Sequence, residues 1–260
     1  MATVVTGDTN PGSRVSLTVA ARIRIVLRLL LLGSWLIACL IAYAIAKPFT
    51  RHNPVPPRFL GGTARLAGVR VQVEGQPLRR DALLLANHIS WIDILVLAGA
   101  SGTTFVAKAE LAQSTLIGWL ASLNETVFVQ REARLAIGGQ VDSVRQALAT
   151  RRPVTLFPEG TTGPGSRLLP FKTAMLQVLD PAPRSIQVQP VVLDYGHATS
   201  DIAWVGEEGG LDNALRVLAR SGRIPLTIRF LDPFTPDPSL TRKCIAAEVR
   251  RRMETVLHGG

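Results

Sequence analysis

"LLLANHISWIDILVL", Leu83 to Leu97, decides how the chain is read. An apolar run ends in Asn87-His88, and Asp93 follows five residues after the histidine, flanked by Trp91, Ile92 and Ile94. The preceding "ALLLA" is continuously apolar, the pattern of a parallel strand covered on both faces. The residues from Ile92 onward read as a helix, so His88 falls at the carboxyl end of a strand and Asp93 in the first turn of the next helix. In open α/β sheets that edge is where ligands bind. Within one helix a spacing of five would set the two side chains on different faces. Across a strand-to-helix turn the carboxylate can instead fold back onto one imidazole nitrogen, fix the tautomer and leave the other nitrogen as a base. Helix capping is the alternative reading of the same spacing.

Outward from this stretch, strand patterns fall at Val69–Val73, Ala82–Ala86, Thr104–Ala107, Val127–Gln130, Val154–Phe157, Ile186–Leu193 and Leu226–Leu231. Helical patterns separate many of them: Ile92–Ala98, Leu111–Leu120, Ala133–Thr150, Thr173–Leu179, Asp212–Ser221 and Leu240–Leu257. Over Ala133–Thr150, Leu135, Ile137, Val141, Val144 and Leu148 lie close to one helical face. Strands alternating with helices predict an α/β domain, a mixed but largely parallel sheet flanked by helices.

The N-terminal part is different. Residues 1–13 are small and polar and are expected to be disordered. From Leu29 to Ala46 eighteen residues run without a charge, about the minimum to cross a bilayer. Arg22, Arg24 and Arg28 precede the run, while Lys47 and Arg51 follow it, so the positive-inside rule leaves orientation open. The options are a span or a helix lying in one leaflet; a buried soluble helix is disfavoured by the length. "RHNPVPPR", Arg51 to Arg58, reads as a proline-rich linker that cannot continue a helix. The predicted organisation is therefore residues 1–58 (disordered N-terminus, apolar membrane helix at about 25–46, linker) followed by a catalytic domain over 59–260.

The chain holds 29 Lys and Arg against 19 Asp and Glu, a formal charge of +10. That balance suits an anionic partner. Aromatic residues make up only 5% and are not interleaved with basic runs, which argues against nucleic acid because no stacking platform is visible. Two isolated cysteines, Cys39 and Cys244, form no disulfide framework or zinc cage, and they fit a domain facing the cytosol.

A second cluster is "TLFPEGTTGPGSRLLPFK", Thr155 to Lys172. Gly160, Gly163 and Gly165 permit close backbone approach to a ligand, and Thr161 and Thr162 supply hydroxyls. Arg167 and Lys172 add positive charge. The loop suits a phosphate or polyol, but lacks the GK[ST] ending of a nucleotide-binding P-loop; a plain surface loop is the alternative. In "ETVFVQR" a short strand delivers Arg131, a residue suited to bidentate contact with phosphate oxygens, or else a solvated charge. Lys108, at the end of "TFVAK", is a similar candidate.

Together these segments resemble the glycerolipid acyltransferase family. "NHISWID" looks like its NHxxxxD block, "VFVQR" like its second block, "FPEGTT" like its third and "VQPVVL" (Val188 to Leu193) like its fourth, in family order. One departure stands out: the family's third block often continues EGTRS, whereas Thr162 and Gly163 stand here. The resemblance implies transfer of a fatty acyl group from an acyl-carrier-protein or coenzyme A thioester to the free hydroxyl of a lysolipid. It implies no metal or other cofactor, and membrane lipids as surroundings. His88 would be the general base and Asp93 would hold its imidazole. Glu159, Gly160 and Thr161 would help place the acceptor, with Arg131, Lys108 and Lys172 as cationic contacts. It also implies a bacterial inner-membrane enzyme whose catalytic domain faces the cytoplasm. Lysophosphatidic acid is the first acceptor expected. Lyso-ornithine lipid is the second, because "TFVAKAEL" and "EGTTGPGSRLLPFKTAML" look at least as much like that branch. Neither cysteine is placed as an acyl-enzyme nucleophile and no GxSxG elbow exists, so direct attack is expected. A thioesterase, with the base activating water, and a non-catalytic membrane-surface binder are the competing classes.

Overall fold

The structure is a computed structural model that describes residues 17–50, 52–108, 115–129, 137–180 and 186–258. Its strands are β1 (Val69–Glu74), β2 (Ala82–Ala86), β3 (Thr104–Lys108), β4 (Val127–Val129), β5 (Val154–Leu156), β6 (Gln187–Asp194) and β7 (Ile224–Phe230). They form one sheet in the order β1-β7-β6-β2-β5-β3-β4. Every pairing is parallel except β6 with β7, so the sheet is mixed and largely parallel, as the alternating patterns predict.

β2 lies between β6 and β5, and all five of its residues are 0% exposed. Its alternation splits the core. Ala82, Leu84 and Ala86 point into one apolar cluster, and Leu83 and Leu85 into the other. The first cluster is closed by α2 (Val55–Leu66), α3 (Ile92–Ser101), α6 (Thr199–Ile202) and α7 (Gly210–Ala219), the second by α5 (Ile137–Ala149) and α8 (Arg242–His258), while α4 (Thr115–Leu123) leads into β4. Each fully buried leucine of β2 contributes about 1.5–3 kcal/mol, which is why the strand needs no polar alternation.

α2 crosses α3 at a glycine pair. A Cβ on Gly99 would lie 2.6 Å from the Gly61 Cα, so the two backbones touch. The expected linker over Arg51–Arg58 is corrected here: from Val55 onward it is the first turn of α2. Pro56 and Pro57 fall where helical N–H groups have no intrahelical acceptor, so proline costs little there. Thr173–Leu179, expected as an ordinary helix, is wound as a 3-10 helix.

α1 (Val19–Ala46) begins earlier than its uncharged run, with Thr18 accepting from the Ala21 N–H. It is long and apolar enough to cross a membrane. One side packs on α2 and α7: Arg24 donates to the Ala219 carbonyl, and Arg28 to those of Leu218 (2.8 Å), Arg220 (3.2 Å) and Val217 (3.3 Å). Further along, the Trp35 indole donates to Phe59 O at 3.1 Å, and the Asn53 amide to Tyr43 O at 3.0 Å. The other side presents Ile23, Val26, Leu27, Leu30, Leu31, Ile37, Ile41 and Ile45, each more than half exposed.

Candidate active site

The chain leaves β2 through Asn87, whose side chain continues the sheet. Its amide donates to Leu193 O at 2.9 Å and its oxygen accepts from Leu193 N at 2.7 Å. β2 is thereby tied to the end of β6 while its own backbone turns away to present His88.

Asp93 sits in the first turn of α3 with its side chain 0% exposed. Its Oδ2 accepts from His88 Nδ1 at 2.8 Å, from Ile89 N at 2.6 Å and from Ser90 N at 2.9 Å, and its Oδ1 accepts from the Tyr195 hydroxyl at 2.6 Å. The fold-back onto the imidazole is the geometry seen, and the carboxylate also ties down the turn ahead of α3; the helix's N-cap, Trp91, has no side-chain cap bond. An ionised carboxylate only accepts, so Nδ1 carries the proton and Nε2 is left with a free lone pair. The His88 ring lies against Phe157, centroids 4.0 Å apart at 16°, and its side chain is 16% exposed. Phe105 stacks behind Phe157 at 6.2 Å.

The loop after β5 is woven into the loop after β2. Glu159, 2% exposed, accepts from His88 N on Oε1 at 2.9 Å and from Leu169 N on Oε2 at 2.7 Å. Burial pushes its carboxyl above the ordinary value, opposed by those two N–H bonds and by the nearby His88. Gly163 N donates to His88 O at 2.7 Å. Glu159, expected to help place the acceptor, has one backbone N–H on each oxygen and so ties the loop after β2 to the loop that carries the neighbouring glycine. Gly160 has φ +72°, and a Cβ there would come within 2.9 Å of Lys172 Cδ and 3.1 Å of Nζ. The turn thus favours glycine, and the flexible end of Lys172 lies close over it. Thr161 is exposed, as is Arg167. The structure therefore brings His88, Asp93, Glu159, Gly160 and Lys172 into one region. Lys108 closes β3, with its side chain outside what is described, and Arg131 lies outside the described residues.

Three contributors were given no role of their own from the sequence. Asn87 acts as described. Trp204, in the irregular segment after β6, bridges the two loops: its N–H donates to Ile89 O at 2.9 Å, and its carbonyl accepts from the Thr162 hydroxyl. Tyr195, directly after β6, is 0% exposed. Its signal was a phenol placed straight after an apolar strand, since a buried tyrosine needs a partner for its hydroxyl.

A histidine–aspartate pair at the carboxyl edge of such a sheet, beside a glycine loop, fits acyl transfer to a hydroxyl, and the chain belongs to the family described as Acyltransferase, whose pattern matches residues 70–194. It is an O-acyltransferase. Over 207 residues it is 37% identical to a lyso-ornithine lipid O-acyltransferase of Rhizobium meliloti (strain 1021), covering 74% of this chain and 70% of that protein. A lyso-ornithine lipid O-acyltransferase of Brucella abortus (strain 2308) is 33% identical over 213 residues, 75% of this chain and 78% of the relative. The fold is also that of the crystal structure of a 1-acyl-sn-glycerophosphate acyltransferase from Thermotoga maritima, with TM-score 0.62 at 20% identity, covering 91% of this chain and 97% of that one.

Proposed function

We propose that this protein completes ornithine lipid by moving a fatty acyl group from an acyl-carrier-protein or coenzyme A thioester to the free hydroxyl of lyso-ornithine lipid. The observation that carries the choice of acceptor is the likeness, over about three quarters of the chain, to two enzymes named for that reaction. It reverses the order of acceptors expected from the motifs, which put lysophosphatidic acid first.

In this reading His88 Nε2 takes the proton of the acceptor hydroxyl as its oxygen attacks the thioester carbonyl carbon. The buried Asp93 carboxylate stabilises the imidazolium so formed. Collapse of the tetrahedral adduct breaks the carbon–sulfur bond, and the imidazolium returns its proton to the departing thiolate. An ester and a free thiol result, with no covalent enzyme intermediate. Gly160, Thr161 and Lys172, together with Lys108 and Arg131, are the proposed surroundings of the acceptor headgroup.

The same reading places α1 lengthwise in the cytoplasmic leaflet of the bacterial inner membrane, with residues 59–260 on the cytoplasmic side. A helix of 28 residues is about 42 Å long. Its contacts with the catalytic part run along its length, from Arg24 and Arg28 on the end of α7 to Trp35 on Phe59 of α2. Crossing the bilayer would drag the charged end of α7, with Arg216 and Arg220, to lipid depth at high cost.

The test is acyl transfer by the purified protein in liposomes. A labelled acyl-carrier-protein thioester is offered separately to lyso-ornithine lipid and to lysophosphatidic acid, with His88→Ala as control. The expected result is preferential acylation of lyso-ornithine lipid, lost in the variant. Equal rates on both acceptors would defeat the choice of acceptor, and release of free fatty acid alone would favour a thioesterase.

A further inference from the structure

We infer that Tyr195 is a positioning residue of the catalytic pair, setting through its hydrogen bond to Asp93 how strongly His88 holds a proton. The inference rests on the proposed role of His88 as base.

Asp93 has four donors around it, and three of them, His88 Nδ1, Ile89 N and Ser90 N, converge on Oδ2. Oδ1 receives the Tyr195 hydroxyl at 2.6 Å. Both side chains are 0% exposed, so no bulk water competes for that oxygen. The three Oδ2 donors come from the turn that Asp93 itself closes. Tyr195 arrives from β6, where the Asn87–Leu193 bridge two residues upstream fixes the approach of strand and turn. Burial, and next the Asp93 charge, push the phenol well above its ordinary value, so Tyr195 stays a donor wherever Asp93 is ionised. A hydrogen bond into Oδ1 draws carboxylate charge away from Oδ2 and hence from the imidazole.

The consequence has a sign. Without the hydroxyl, Asp93 carries more charge toward His88 and favours imidazolium over imidazole. The base is then protonated up to a higher pH, and the acid limb of kcat/KM moves upward. A phenol with no more than a packing role would lower the rate without moving that limb. Among the described residues, the titratable groups hydrogen-bonded to the pair are Glu159, whose Oε1 accepts from His88 N, and Tyr195 itself. Glu159 is unchanged between the proteins compared, so any difference belongs to the phenol.

The experiment compares wild type with Tyr195→Phe, following both the pH profile of kcat/KM and the NMR titration of the His88 ring in ring-labelled protein in detergent. Tyr195→Phe is expected to move both upward by roughly half a unit to one unit. Because the chain has only two tyrosines, Tyr43 and Tyr195, fluorotyrosine in a Tyr43→Phe background alters Tyr195 alone. Its more acidic phenol bonds Oδ1 more strongly and is expected to move the titration the opposite way, even where Tyr195→Phe does not fold. Opposite shifts carry the inference, and a His88 titration that stays fixed in the fluorotyrosine protein overturns it. Because the ring titration needs no substrate, opposite shifts in a protein that acylates neither lysolipid would uphold the coupling while refuting the proposed function.

Discussion

Asp93→Asn isolates the charge of the carboxylate from its shape. The amide oxygen can take the place of Oδ2 and keep the donors from His88, Ile89 and Ser90. The amide nitrogen then faces the Tyr195 hydroxyl, which turns to accept instead of donate. The fold and the imidazole tautomer are therefore spared, and what disappears is the attraction between carboxylate and imidazolium across 2.8 Å. A hydrogen bond to a charged partner contributes about 1.5–3 kcal/mol. At ~1.36 kcal/mol per tenfold, kcat should fall roughly 10- to 150-fold. His88→Ala, which removes the proposed base, should cost about 10²- to 10⁴-fold and set the floor. The assay is initial-rate transfer of a labelled acyl group to the preferred lysolipid, with thermal unfolding in detergent to confirm an intact fold. The double variant should match His88→Ala alone, because Asp93 acts only through the histidine. A wild-type rate in Asp93→Asn, or a double variant well below His88→Ala, would refute the pairing.

Glu159→Ala leaves two part-buried N–H groups without their carboxylate, at up to about 1–3 kcal/mol each, so its unfolding midpoint should drop below that of Glu159→Gln in urea titrations. Burial raises the Glu159 carboxyl in the folded state, so the native protein binds this proton more tightly than the unfolded chain does. Its contribution to stability therefore falls as pH rises from the unfolded value of about 4.3 through the folded one, and Glu159→Gln should flatten that part of the stability–pH curve. Gly99→Ala, with its Cβ 2.6 Å from the Gly61 Cα, should destabilise more than Gly61→Ala, whose Cβ lies 3.0 Å from the Gly99 Cα. About 1–3 kcal/mol is expected for the former, seen as a lower Tm. Arg28→Ala uncaps the last carbonyls of α7, and hydrogen exchange should accelerate at that helix end and along the facing part of α1.

What could be read in advance, and what could not, follows from distance along the chain. His88 and Asp93 are five residues apart, and a strand-to-helix turn is a local event, so the spacing offered their pairing, with helix capping as its rival. Ala82–Ala86 reads as strand because a five-residue apolar run between Asp81 and Asn87 is too short for a helix and suits a strand covered on both faces. Tyr195 lies 102 residues from Asp93 and meets it only because β6 is the neighbour of β2, an order that no local pattern displays. Glu159 was visible as a carboxylate beside glycines, but not the inward direction of its oxygens, which depends on where His88 N and Leu169 N come to rest. The start of α2 was hidden by its prolines, since the residue that breaks a helix interior is acceptable in a first turn.

Between His88 and Ser90 every backbone donor and acceptor is taken. His88 N goes to Glu159 and His88 O to Gly163; Ile89 N goes to Asp93 and Ile89 O to Trp204; Ser90 N goes to Asp93 and Ser90 O to Asp93 N. A segment held at so many points cannot swing by itself, because any displacement breaks several bonds together. The glycine loop and the tryptophan segment must travel with it as one body. In the proposed mechanism the substrates therefore meet an imidazole that is already aimed, and whatever motion admits the acceptor and releases the product belongs to other parts of the chain.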